Sequence, residues 1–165
     1  MRLLAVLIGL SVFLTTTIFA QNITIKMYKT SKKNQGVAIG VVRAKDTPSG
    51  LLLMPHLKNL SPGLHGFHIH QGHSCKNAGM AAGGHLDPKK THKHLGPYRQ
   101  GHLGDLPVLL VNKHGVALKP VIAPRLTVAD IKGRTLMIHA GGDNYKDTPK
   151  KLGGGGKRVA CGVIN

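Results

Sequence analysis

The stretch "HGFHIHQGHSC", residues 65–75, carries four histidines, His65, His68, His70 and His73, and closes on Cys75. At its centre, "FHIH" alternates apolar and imidazole side chains. In a β-strand, residues two apart share a face, so His68 and His70 converge on one point while Phe67 and Ile69 turn toward a core. His-x-His on a strand has the form of a bidentate metal site; the competing reading is a pair of surface histidines. The same strand logic extends outward. "NITIKMY" alternates Ile23, Ile25 and Met27 with Thr24 and Lys26, and "GVAIGVVR", "GLLLMP", "LPVLLVN", "RTLMIHA" and "RVACGVI" are further short apolar or β-branched runs between Gly, Pro, Asn and Asp. Helical periodicity is scarce. Seven or eight short strands separated by turns point to an all-β antiparallel sandwich or barrel. Residues 71–105 and 140–157 fit no strand; long loops of this kind in a compact domain are functional or disordered, and here they hold most of the histidines.

The chain of 165 residues is long enough for one domain with its own core and short for two. Residues 1–20, "MRLLAVLIGLSVFLTTTIFA", have the basic start, apolar run and small final residue of a secretory signal peptide, with cleavage expected after Ala20. An uncleaved anchor is the competing reading, but Leu3–Val12 is a short apolar run and Thr15–Thr17 dilute the apolar residues beyond it. Domain organisation is therefore read as a signal peptide over 1–20 and one domain over 21–165. Two cysteines, Cys75 and Cys161, make an even pair, which in an exported protein favours a disulfide over two free thiols.

Charge is lopsided. There are 23 Lys and Arg against 6 acids, all of them Asp. Such a field draws anions of any class, whether a small substrate, a polyanion or an acidic surface, and does not choose among them.

A second histidine-bearing segment, "GGHLDPKKTHKHLGPYRQGHLGDLP" at 83–107, offers His85, His92, His94 and His102, with Asp105 three residues further on. Three imidazoles and one carboxylate form a tetrahedral zinc set, and an irregular loop without an apolar core gains from such a cross-link. His139 ends the strand-like "LMIH" and is followed by Asp143, a natural carboxylate partner for the outer N–H of a metal-bound imidazole.

With "GFHIH", "AAGGHLDP", "KHLGP", "GHLGDLP", "LMIHAGGDN", "LGGGG" and "RVACGVI" in this order over residues 22–165, the chain resembles the copper,zinc superoxide dismutases of the bacterial periplasmic kind. The resemblance implies a Greek-key β-sandwich or flattened barrel, copper on His68, His70, His85 and His139, and zinc on His85, His94, His102 and Asp105. His85 would bridge the two metals and exchange a proton during turnover. Asp143 would link His68 to His94, Arg158 would orient the anionic substrate, and Cys75 and Cys161 would form the family's intrasubunit disulfide. Superoxide would be dismuted to oxygen and hydrogen peroxide in the periplasm. Lys146, Lys150, Lys151 and Lys157, in the loop expected to border the channel, would steer superoxide inward.

Some residues stand outside that pattern. His65 matches a structural histidine of the family, His92 gives way to His94 in the "KHLGP" context, and His56, His73 and His114 read as surface residues. Between Cys75 and His85 there is only "KNAGMAAGG", where bacterial relatives often carry a longer charged insertion tied to dimer contact or steering; a homodimer is an open expectation. Two other function classes compete: a non-catalytic metal-binding relative, and a module binding a polyanion or acidic surface weakly through its charge.

Overall fold

The computed structural model describes residues 21–33 and 35–165, so the signal-peptide expectation over 1–20 lies outside the described residues. Nine strands are formed: β1 (Asn22–Lys29), β2 (Ala38–Thr47), β3 (Gly50–Leu57), β4 (Gly63–His65), β5 (Phe67–His70), β6 (Leu109–Val111), β7 (Val121–Ala123), β8 (Thr135–His139) and β9 (Arg158–Val163). Seven make one antiparallel sheet in the order β5-β8-β9-β1-β2-β3-β7, while β4 pairs with β6. The neighbours β5–β8 and β3–β7 are joined by long excursions, as expected for an all-β Greek-key architecture.

Strand patterning follows burial. In β1, Ile25 and Met27 are buried while Thr24 and Lys26 face solvent. In β2, Ile39, Val42 and Ala44 are buried, and the break in period coincides with a register shift opposite Met27 and Tyr28. Gly40 sits at that irregularity with φ +127°, and a Cβ there would lie 2.0 Å from the His56 carbonyl oxygen, so only glycine fits. One apolar core collects side chains from β1–β3, from Phe67 and Ile69 of β5, from Leu109 and Val111 of β6, and from β8 and β9.

Three elements go beyond the sequence reading. β4 and β7, three residues each, are too short to display a period. The single-turn helix α1 (Val128–Ile131) begins with a capping box in which Thr127 and Asp130 satisfy each other's backbone N–H groups, and it buries Val128 and Ile131. The "GVAIGVVR" run continues further than its apolar residues suggest, to Thr47, because Lys45 and Asp46 pair with Leu52 and Leu51 of β3.

The two long excursions lie where the sequence reading put them. The first is held against β5 by backbone bonds: Leu86 N donates to Ile69 O at 2.8 Å, Ile69 N to Gly104 O at 2.9 Å, and Gln71 N to Gly84 O at 3.0 Å. The Cys75–Cys161 disulfide closes it onto β9, with Cα atoms 5.9 Å apart. The second excursion folds onto the end of β8: Gly141 N donates to Gly155 O and Ala140 N to Lys157 O.

Candidate metal centre

β5 buries all four residues of "FHIH". Phe67 and Ile69 join the core, while His68 and His70 face the first excursion, the division that strand periodicity demands. His139 at the end of β8 approaches them, with ring centroids 4.8 Å from His68 and 5.7 Å from His70. His85, on the loop held along β5, lies 4.0 Å from His68 and 5.0 Å from His70. These four buried imidazoles form one cluster whose ring nitrogens could share an ion.

Outward nitrogens are tied. His70 Nδ1 donates to Gly83 O at 2.9 Å, His139 Nδ1 to Gly156 O at 3.1 Å, and His68 Nε2 to Asp143 Oδ2 at 2.8 Å. Inward nitrogens are bare: His68 Nδ1 and the Nε2 atoms of His70, His85 and His139 are buried with no hydrogen-bond partner among the described residues. A donor fixed outward leaves a lone pair facing inward, which is how proteins aim imidazole at a metal. Burial, aided by repulsion from His85, pushes His68 down to about 3 and His70 to about 2; burial likewise pushes His139 to about 4. Near neutral pH all three are uncharged, the state that ligates. The residues fit a metal ion.

A second cluster shares His85. His85 Nδ1, His94 Nδ1 and His102 Nδ1 lie 2.9, 3.0 and 3.4 Å from the same oxygen, Asp105 Oδ1. Convergence of three imidazoles and a carboxylate is the donor set of a closed tetrahedral zinc site. Burial disfavours charge on Asp105, but the three histidine rings converging on it outweigh that and hold the carboxyl far below the usual range. Its other oxygen, Oδ2, accepts from Leu95 N and Gly96 N, both at 3.2 Å.

Asp143 joins the clusters. Besides His68, it accepts from His94 Nε2 at 2.8 Å through Oδ1 and from Tyr145 N at 2.7 Å. Burial opposes charge on His94 as well, yet its bonds to Asp105 and Asp143 raise it to about 9. The second excursion packs directly over this carboxylate: at Gly153, φ +68°, a Cβ would fall 1.9 Å from Asp143 Oδ1.

Arg158, at the start of β9, donates to Gly79 O and Gly83 O, each at 2.6 Å, and its charge helps to depress His70 and His139. Gly83 O thus accepts from both His70 and Arg158. Lys146, Lys150, Lys151 and Lys157 are exposed on the second excursion. His65 is buried between two backbone carbonyls, with Nδ1 2.6 Å from His139 O and Nε2 2.8 Å from Ser61 O, a packing role. His56, His73, His92 and His114 are exposed and outside both clusters.

Sequence reasoning missed Arg125. Its guanidinium lies behind the second cluster and donates to four carbonyls of the ligand loop: Pro97 at 2.9 Å, Gly101 at 3.3 Å, Gly96 at 3.3 Å and His102 at 2.6 Å. No spacing links it to the histidines; the only hint is an arginine in "APRLT" at the end of an apolar run.

A Greek-key β-protein bearing two buried ligand clusters that share one histidine defines a class of dinuclear metalloproteins. The sequence matches the family model described as copper/zinc superoxide dismutase over residues 21–164, and the chain belongs to that family. It is 54% identical over 149 residues to superoxide dismutase [Cu-Zn] 2 of Salmonella typhimurium, covering 85% of this chain and 86% of that protein. It is 50% identical to superoxide dismutase [Cu-Zn] of Legionella pneumophila, covering 96% of each. The Cu/Zn superoxide dismutase structure from Brucella abortus superposes with a TM-score of 0.84 at 47% identity, covering 88% of this chain and all of that one.

Proposed function

We propose that His68, His70, His85 and His139 hold copper, that His85, His94, His102 and Asp105 hold zinc, and that His85 serves both. The chain is an oxidoreductase that dismutes superoxide to oxygen and hydrogen peroxide, with copper and zinc as cofactors. The observation that carries the assignment of ligands is His85: Nε2 faces the all-imidazole cluster and Nδ1 the cluster containing Asp105. Imidazole suits copper in both of its oxidation states, whereas three imidazoles and a carboxylate suit zinc.

When bound, copper supplies alternating one-electron reduction and reoxidation, so that one superoxide leaves as oxygen and a second, with two protons, as hydrogen peroxide; zinc supplies fixed charge without redox chemistry. The rest falls to the chain. Arg158, held by Gly79 and Gly83, offers a fixed cation that draws and orients the anion. His85 would hold a proton at Nε2 between the two half-reactions and give it up to the product, while its Nδ1 stays with the cluster that contains Asp105. His65 fixes the backbone of His139, and Asp143 fixes the rings of His68 and His94. Lys146, Lys150, Lys151 and Lys157 extend the positive field outward from Arg158.

Metal analysis coupled to superoxide consumption by the mature, disulfide-bonded protein tests the assignment. Expected are one copper and one zinc per chain, with activity lost in His68→Ala and His139→Ala alongside copper. Inactivity at full copper occupancy would return the chain to the non-catalytic alternative.

The protein works outside the cytoplasm, in keeping with its disulfide and its bacterial relatives. Cleavage after Ala20 and a periplasmic destination are the finer reading, supported by the pattern of residues 1–20; protein from the periplasmic fraction should begin at Gln21. For a homodimer, the support is an exposed apolar strip, Leu64, Tyr98, Leu110 and Ile122, around a hollow of about 570 Å³; sedimentation of the wild type and Leu110→Lys tests it. Weak polyanion binding is supported by the net charge of +17.

A further inference from the structure

We propose that the groove flanking the Cys75–Cys161 disulfide binds a flexible condensed-phosphate chain, an inference that rests on the polyanion reading and gives it a location.

The few acids are taken up by the chain's own N–H groups and histidines. Every Asp accepts hydrogen bonds from the chain itself: Asp46 from Val128 N, Asp87 from His92 N, the exposed Asp130 from Thr127, and the exposed Asp147 from His94 N and Leu152 N, while Asp105 and Asp143 lie among the clustered histidines. Among the described residues, all ion pairs within 4.0 Å are His–Asp pairs; no lysine or arginine has a carboxylate partner. The surface cations are therefore uncompensated by the protein itself, and neutralisation is left to ions from solution.

Some of those cations gather in a concavity. Lys32, Lys33, Lys76 and His73 line a hollow of about 540 Å³. Beside it, Lys26 and Tyr28 line another of about 290 Å³; Gln35, Cys75 and Val163 belong to both. Among the described residues, no Asp lines either hollow. The lysines come from β1, from the turn after it and from the loop behind Cys75, and these segments are locked together. Ala78 N donates to Ser31 O at 2.8 Å, Thr30 N to Val159 O at 3.0 Å, and the disulfide ties Cys75 to β9. These ties bring the lysine-bearing segments together before any anion binds, which lowers the cost of gathering the charges.

Side-chain chemistry selects the occupant. The groove carries lysines and no arginine, so it offers the compact point charges through which lysine binds phosphate, not the planar fork that suits phosphate and carboxylate alike. Two adjoining hollows suit a chain of phosphates better than one ion. Single-stranded nucleic acid requires stacking faces, and the one aromatic here, Tyr28, is half-buried. The exposed apolar strip that could enter a lipid surface lines a different hollow, sharing no residue with this groove.

The test uses metal-loaded protein and inorganic polyphosphate, with affinity measured across a salt series. Three variants are compared: wild type, the groove triple Lys32→Gln/Lys33→Gln/Lys76→Gln, and a control triple of equal charge, Lys45→Gln/Lys58→Gln/Lys113→Gln, at exposed positions outside the groove. The groove triple should bind at least about tenfold more weakly near physiological salt, and its log K against log salt slope should flatten by roughly two. The control triple should stay within about threefold of wild type. Superoxide consumption without polyphosphate should be retained in both, showing that they fold. Equal losses in the two triples would overturn the groove and leave a diffuse polycation. No polyphosphate binding by wild type would overturn the polyanion reading itself. Tighter retention on vesicles of anionic lipid, unaffected by the groove triple, would overturn it in favour of a membrane surface.

Discussion

Asp105 and Arg125 grip the same turn of the ligand loop with opposite charges. The carboxylate accepts the N–H of Gly96, and the guanidinium donates to the same residue's carbonyl. Arg125 also bonds the carbonyl of His102, the ligand candidate standing furthest from Asp105 Oδ1, at 3.4 Å. It makes no hydrogen bond to the four histidines proposed to hold copper. Arg125→Met should therefore lower zinc affinity roughly 10–100-fold, the usual range for losing an outer partner, and leave copper affinity within about threefold. Arg125→Lys should restore only part of the loss, because an ammonium cannot serve four carbonyls in one plane. Competition with a chromophoric chelator reads both constants; a parallel fall in both would mean general loosening instead of positioning.

Asp143 makes a contrasting case, since one oxygen serves each cluster. Asp143→Asn keeps one acceptor and turns the other into a donor, which faces an imidazole N–H. Affinity for both metals should fall, each by roughly 10–100-fold, and copper bound in the variant should show altered electron paramagnetic resonance parameters. Loss of copper binding alone would contradict the bridge.

Metal-free protein should be most stable near pH 6.5. His68, His70 and His139, held at about 3, 2 and 4, take up protons only on unfolding as pH falls below their ordinary 6.5, so acid progressively removes stability. His94, raised to about 9, works in the opposite sense: the native state keeps a proton that the unfolded chain releases above 6.5, so stability declines as pH rises through 9. Thermal melts in chelator from pH 4 to 10 should show both arms. Adding zinc should abolish the alkaline arm, because a ligating His94 carries no extra proton. A flat alkaline arm in chelator would contradict the basicity of His94.

Electrostatic capture predicts a salt signature. Lys150→Gln/Lys151→Gln should slow superoxide consumption at low ionic strength and approach wild type as salt shortens the Debye length to a few ångströms. An equal fractional loss at every salt concentration would assign these lysines to something other than steering.

Reduction of the disulfide, or Cys75→Ser/Cys161→Ser, should destabilise the protein by roughly 4–5 kcal/mol, given a closed loop of 86 residues. Denaturant melts of the metal-free protein measure it without interference from ligand binding.

Legibility in the sequence divides along physical lines. His68 and His70 declared themselves because strand periodicity puts alternate residues on one face, and the remaining ligand candidates stood out as histidines and scarce acids in loops without apolar pattern. The clustering of His85 with both groups needed the backbone pairing of Leu86 and Gly104 with Ile69, which no local rule encodes. Arg125 was invisible for the same reason: its acceptors are backbone carbonyls, and a carbonyl has no letter in a sequence. β4 and β7 were too short to carry a period, and they exist because their partners supply the other half of each ladder.

The carboxylate of Asp143 couples the filling of the two clusters. A ring of each cluster hangs from it, so an ion that settles one ring also settles the carboxylate and, through it, the orientation of the other ring. Whichever metal arrives first leaves the second a site already half arranged. The maturing protein should consequently pass from empty to fully loaded with few singly loaded molecules between.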